Sequence, residues 1–210
     1  EIIFLNGLPP IFRYKTKVTT YFQNANILKF KSNIMKMMSS DIFRSLKFFL
    51  FKNNVDKWVV FSKYAKNDLM NIIKKEKIFK EKIVFEIRKK KFQKLEYDFI
   101  YPASGENHKN HKNLLKAFII LAELKIFPKL LITLSKEDFN KLNFIYYINK
   151  FNLKITNKPE KNRKKFLTNY NKSKALIFPS NTETLGLPLI EARKFKIDIL
   201  ASNRKFSKEY

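Results

Sequence analysis

Apolar and polar positions alternate along the chain in two regimes. From residue 99 onward, short apolar runs at 99–101, 130–134, 153–156, 175–178 and 197–201 alternate with stretches of helical periodicity at 113–124, 137–149, 160–170 and 188–195. Apolar runs of this length, bounded by polar turns, read as buried strands, and the 3.6-residue spacing between them reads as helices packed on those strands. Strand and helix in strict alternation predict βαβ units and a parallel, doubly wound sheet. Ligands bind such sheets in the crevice at the carboxyl ends of the strands.

Before residue 99 the pattern is less even. Strands are predicted at 2–5 and 17–22, joined through the turn composition Asn6-Gly7-Leu8-Pro9-Pro10. A strand at 58–61 is followed by Ser62, a suitable cap for the next helix, and a further strand is predicted at 83–86. The basic segment 88–96 reads as a linker, which divides the chain into domains 1–95 and 96–210. Within 24–52, Ile34, Met38, Ile42, Leu46 and Phe49 recur near helical spacing, with Lys36, Arg44 and Lys47 among them. That face is expected on the core of the first domain. The alternative use of an apolar face beside basic residues is contact with an anionic membrane surface.

The segment with the most chemistry follows the run at 175–178. It reads Phe178-Pro179-Ser180-Asn181-Thr182-Glu183-Thr184-Leu185-Gly186-Leu187-Pro188-Leu189-Ile190-Glu191-Ala192. Pro188 is placed where a helix begins, because its missing N–H has no partner there. Gly186 allows a positive φ or a close backbone approach without steric cost. Strand, glycine turn and helix start together aim unpaired N–H groups at the crevice, which suits a phosphate. Glu183 in the turn and Glu191 in the helix supply carboxylates that accept hydrogen bonds from vicinal hydroxyls. Amides for a diphosphate and carboxylates for the flanking sugars describe a nucleotide-sugar pocket.

This Pro-Ser…Glu-x-x-Gly-Leu-Pro…Glu-Ala pattern, with seven residues between its glutamates, resembles the group 1 glycosyltransferases (family four, GT-B fold). The resemblance implies an α/β protein whose residues 96–210 form a Rossmann-like donor domain and whose residues 1–95 form part of a second Rossmann-like, acceptor-binding domain. It implies transfer of a sugar from a nucleotide-sugar donor to a glycan or lipid-linked acceptor in the cytoplasm or at the inner membrane face. Configuration would be retained, with neither metal nor cofactor. Glu191 would hold the ribose, and Glu183 with the amides of Thr184, Leu185 and Gly186 would hold the donor sugar. Gln23 and Asn24, directly after a strand, are candidate acceptor contacts.

A second strand–loop–helix opens the later half, from Tyr101 through Ser104, Gly105, Glu106, His108, Lys109, Asn110, His111 and Lys112 to Leu114-Leu115-Lys116-Ala117-Phe118. It resembles the family's first donor-domain loop, which implies that Lys109 meets the diphosphate. A cation there stabilises charge that develops on the leaving group. Gly105 and Lys112 are donor-binding candidates on the same loop and helix. Ser104 stands where the family often has an arginine, so the second cation is missing or comes from elsewhere, with Lys112 as a candidate. Lys196 and Asp198 replace a Gly and a Pro of the family pattern, and a glycine near Thr156 is absent. An inactive relative is therefore one alternative reading. His108 and His111, the only histidines, lack a convincing third partner for a metal. His111 is read as shaping the start of the helix.

Composition changes this picture little. The chain has 210 residues, no cysteine and 45% hydrophobic residues, enough for sizeable cores without disulfides. No apolar run reaches the ~18 residues of a membrane span, and the start of the chain lacks a signal-peptide pattern. The net charge of +26 would ordinarily suggest nucleic acid or an anionic membrane. Here it accompanies heavy use of Asn, Ile and Phe (22 Phe), the joint enrichment of an AT-rich coding sequence. The basic residues are spread along the chain rather than clustered with aromatics, which disfavours a basic nucleic-acid-binding protein as the main reading.

Overall fold

The computed structural model describes residues 1–23, 27–28, 39–82 and 94–209. The chain divides into two compact units: the first comprises 1–85 with 182–185 and 209, the second 86–181 with 186–208 and 210.

In the first unit, strands β1 (Ile2–Phe4), β2 (Val18–Tyr21), β3 (Lys57–Val60) and β4 (Ile78–Lys80) form a parallel sheet in sequential order. Helices α1 (Ser39–Phe51) and α2 (Lys63–Met70) connect β2 to β3 and β3 to β4. Its core gathers Phe22, Phe48, Trp58, Val60 and Leu69, all excluded from solvent. Ser62 caps α2 as expected, accepting from the N–H of Ala65 at 3.0 Å. β4 escaped the sequence reading because it has one buried residue between lysine-rich flanks, whereas the strand expected at 83–86 lies outside the described residues.

The helix expected within 24–52 is described only from residue 39, and its face matches the expectation in part: Phe49 packs against the core as expected, but Leu46 does not. Ser45 and Phe48 are buried, whereas Leu46, with Phe43 and Leu50, is exposed. Leu46 had been assigned to the core by spacing alone. Phe48, which rests against Phe22 and Trp58, fixes the helix rotation instead.

In the second unit, β5 (Tyr97–Tyr101), β6 (Leu130–Ile132), β7 (Ile155–Asn157), β8 (Ser173–Phe178) and β9 (Asp198–Ala201) form a parallel sheet ordered β7-β6-β5-β8-β9. Helices α3 (His111–Glu123), α4 (Lys136–Lys141), α5 (Phe144–Phe151), α6 (Arg163–Thr168) and α7 (Leu187–Phe195) lie between successive strands. All three residues of β6 are buried, as a strand covered on both faces requires. The strand order reverses between β5 and β8, so the crevice of a doubly wound sheet opens where the loops after these two strands diverge.

The single helix expected at 137–149 is two. Asn143 adopts a left-handed φ of 56° between α4 and α5, a conformation that Asn tolerates better than most residues. The break has a packing reason. Phe139 and Phe144 are five residues apart and would face different ways on a straight helix. In the structure their rings stack 5.2 Å apart. The helix expected at 160–170 is shorter, because Asn162 caps it by accepting from the N–H groups of Lys164 and Lys165.

Candidate active site at the sheet switch point

The loop after β5 is fixed from several sides. Tyr101 is fully buried, and its hydroxyl donates to the Lys109 carbonyl at 2.6 Å. Gly105 donates its N–H to Asp138 Oδ2 at 3.2 Å, and a Cβ at Gly105 would stand only 2.3–2.5 Å from the Asp138 side chain. Asp138 is itself held at the start of α4. Ser135 Oγ donates to its carboxylate at 2.9 Å and accepts from its N–H at 3.0 Å. Asn110, with φ 62°, turns the chain into α3.

His111 opens α3 almost wholly buried, its ring 4.9 Å from that of Tyr101 and 6.3 Å from that of Phe144. Its Nε2 lies 2.8 Å from the Ser104 carbonyl, which can only accept, so Nε2 carries the proton. Burial lowers the His111 pKa and favours the neutral ring. Nδ1 is buried without a partner. His111 thus anchors the loop.

The loop after β8 is tied to this one. Asn181 N–H and Ser180 Oγ both donate to the His108 carbonyl, at 2.8 and 3.2 Å, and Asn110 Nδ2 donates to the Pro179 carbonyl at 3.1 Å. Ser202, just past β9, donates to the Ser180 carbonyl at 2.6 Å. Ser180 therefore serves to brace the two loops. Gly186 has φ 66°, as the turn composition suggested, and precedes α7, with Pro188 as the second helical residue.

Helix starts differ by location. α2, α4 and α6 each have a side chain, Ser62, Ser135 or Asn162, that accepts from their first N–H groups. α3 and α7, the two helices that begin at the switch point, have no capping side chain. α5, which continues out of α4 rather than from a strand, also lacks one. Two uncapped helix starts beside the crevice offer N–H donors and positive dipole ends to an anion.

Glu191, in the second turn of α7, is 1% exposed. Tyr170, wholly buried, donates its hydroxyl to Oε2 at 2.6 Å, and Arg163 Nη2 donates to Oε1. Burial drives the Tyr170 pKa up, so this hydroxyl keeps its proton. The Arg163 side chain is half exposed and also lies over the Phe166 ring, 5.5 Å from its centroid. The sequence placed Glu191 facing an open crevice. The structure gives each of its oxygens a protein partner.

Of the other expected site residues, Lys109 is half-buried on the first loop and Lys112 is exposed at the start of α3. Glu183, Thr184 and Leu185 belong to the segment grouped with the first unit. Within that unit, Thr184 Oγ donates to the Gln23 carbonyl at 2.8 Å. Asn24 lies outside the described residues. Glu106 Oε2 stands 3.8 Å from His108 Nε2, and no group of three or more His, Asp or Glu suited to a metal occurs among the described residues.

The reading overlooked Asp138, Tyr170 and Arg163. Only Asp138 had a signal, the Ser135-x-x-Asp138 capping pattern.

Comparison with known proteins adds the following. Residues 83–210 match the family model for glycosyl transferases group 1. No curated protein sequence matches. Among solved structures, TarM from S. aureus, crystallised with UDP, superposes with a TM-score of 0.68 at 16% identity, over 90% of this chain and 37% of TarM. Sucrose-phosphate synthase from Thermosynechococcus elongatus gives 0.67 at 14% identity, over 91% and 51%. HepE from Anabaena, crystallised with UDP-glucose, gives 0.65 at 11% identity, over 93% and 56%. The chain thus spans roughly two fifths to just over half of these proteins, and the likeness establishes the fold: two parallel Rossmann-like sheets of the GT-B type.

Proposed function

The chain belongs to the group 1 glycosyltransferases, and from that premise we propose that it transfers a sugar from a nucleotide-sugar donor to a glycan or lipid-linked acceptor, with retention of configuration and without a metal. Residues 96–210 bind the donor and residues 1–95 belong to the acceptor side. The observation that carries this reading is the pair of uncapped helices, α3 and α7, that flank the switch point. An anionic diphosphate would complete both helix starts.

Each residue then has a role. Lys109, its carbonyl held by Tyr101, meets the leaving diphosphate, where a cation stabilises the charge that develops on bond cleavage. Lys112, exposed as the second residue of α3, adds to the same field, and Gly105 shapes the loop. Gly186 gives the turn its conformation, and the amides of Thr184, Leu185 and Gly186 with Glu183 hold the donor sugar. Glu191 accepts hydrogen bonds from the ribose hydroxyls. Gln23 and Asn24 contact the acceptor.

The test uses UDP-sugars first, because TarM and HepE were crystallised with UDP or UDP-glucose. Lys109→Ala lowers turnover more than it raises the donor KM, since the cation acts chiefly in the transition state. Glu191→Ala weakens UDP binding by roughly 1–3 kcal/mol through lost hydrogen bonds. A folded Glu191→Ala protein with unchanged affinity removes the ribose assignment, and a silent Lys109→Ala beside an impaired Lys112→Ala moves the cation to Lys112.

A further inference from the structure

Glu191 is enclosed by two partners of different kinds. Tyr170 is wholly buried and neutral, so its hydrogen bond belongs to the core. Arg163 has a side chain that is 50% exposed, while that of Glu191 is 2% exposed, so Arg163 is the partly exposed partner of the carboxylate. It is the first residue of α6 and rests on Phe166 of the same helix. A carboxylate oxygen engaged by a guanidinium has fewer lone pairs free for a hydroxyl.

We propose that Arg163 is a latch on the donor site that competes with the ribose: in the free protein it occupies Glu191, and a nucleotide gains the carboxylate only if its ribose hydroxyls displace the guanidinium. The inference rests on the ribose role proposed for Glu191. A ligand without those hydroxyls leaves the Arg163–Glu191 pair intact. A ligand with them must break the pair, so its net affinity is reduced by the strength of that pair. Arg163 thereby lowers affinity for the ribonucleotide while leaving that for a dideoxy analogue unchanged.

The experiment is calorimetric titration of the intact protein, its Arg163→Gln variant and its Glu191→Gln variant with UDP and with 2′,3′-dideoxy-UDP. Arg163→Gln is expected to tighten UDP about threefold to tenfold, the scale of a partly exposed ion pair with one buried partner, and to leave dideoxy-UDP unchanged. Arg163→Lys keeps the charge but not the planar fork, so it gives a smaller gain and serves if the glutamine variant does not fold. Unchanged or weaker UDP binding by both Arg163 variants, with wild type still preferring UDP over the dideoxy analogue, overturns the latch and leaves the ribose role standing. Equal binding of the two nucleotides by wild type and by both Arg163 variants overturns the ribose role, and the latch with it, because without the guanidinium nothing is left to offset a preference for the ribose.

Discussion

The two loops that leave the central strands of the second sheet both contain a glycine, and they need it for opposite reasons. After β5, Gly105 has an ordinary backbone, but the Asp138 carboxylate occupies the space a Cβ would take. After β8, Gly186 has the left-handed φ of 66°, and its Cβ position is only 2.9 Å from Leu189 Cδ1. The first glycine makes room for a side chain, whereas the second supplies a conformation. The anchors differ in the same way. The first loop is held by Asp138, Tyr101 and His111; the second shares the Ser180 and Asn110 hydrogen bonds that join it to the first, and at Gly186 it depends in addition on a backbone conformation that few residues adopt. In the first case the obstacle is a side chain that substitution can remove, whereas in the second the Leu189 methyl can yield but the left-handed φ remains.

Substitution separates the two. Gly186→Ala is expected to have the larger effect, about 2–4 kcal/mol of lost stability, from the left-handed strain of an L-residue together with the clash on Leu189. Leu189→Ala added to it relieves the clash but not the strain, so denaturant melting of the double variant stays well below the single Leu189→Ala variant. Gly105→Ala costs less, roughly 1–3 kcal/mol for overpacking against Asp138. Here Asp138→Ala removes the obstacle. The double-variant cycle therefore shows strong favourable coupling, while Ser135 still caps α4 through the backbone N–H of residue 138. Additive effects of Gly105→Ala and Asp138→Ala would contradict the assignment of Gly105 to space.

Much of this was legible in the sequence, for identifiable reasons. The βαβ alternation, the turn at Gly186 and the cap at Ser62 are local patterns, and local patterns survive folding. The family motif located the second loop because its residues are contiguous. The helix break at Asn143 was not legible, since the apolar period runs across it and only the stacking of Phe139 on Phe144 reveals why the chain bends. Nor was the Glu191 environment, which joins residues 163, 170 and 191 from separate elements. Lys196 is instructive in another way. It replaces a glycine of the family pattern yet has φ 56°, so the helix end keeps its conformation at the expense of strain.

The smallest effect expected from the contrast is a pH dependence, and it belongs to the first loop alone. His111 is neutral and buried, with its folded pKa below its ordinary value of 6.5 because burial disfavours the charged ring. The nearby Asp138 and Lys109 oppose each other, the first raising and the second lowering that pKa. A folded pKa below the unfolded one means that the unfolded chain binds the extra proton first. The contribution of His111 is therefore fully present above about pH 6.5 and declines as pH falls below it. Glu96 and Asp98 in the same unit also have lowered pKa values, from hydrogen bonds to Lys172 and Lys174, but their contribution is lost only below their ordinary 4.5 and 3.8. The interval from about 6.5 to 4.5 therefore lies above the loss of both carboxylate contributions. Amide hydrogen exchange of α3 peptides, corrected for the intrinsic pH dependence, should show protection falling through that interval in the wild type. His111→Gln, whose amide can still donate to the Ser104 carbonyl but does not titrate, should show a flat profile there. A slope that persists in the glutamine variant would mean that another group titrates against this loop, and the division between a side-chain-anchored and a backbone-anchored turn would lose its electrostatic half.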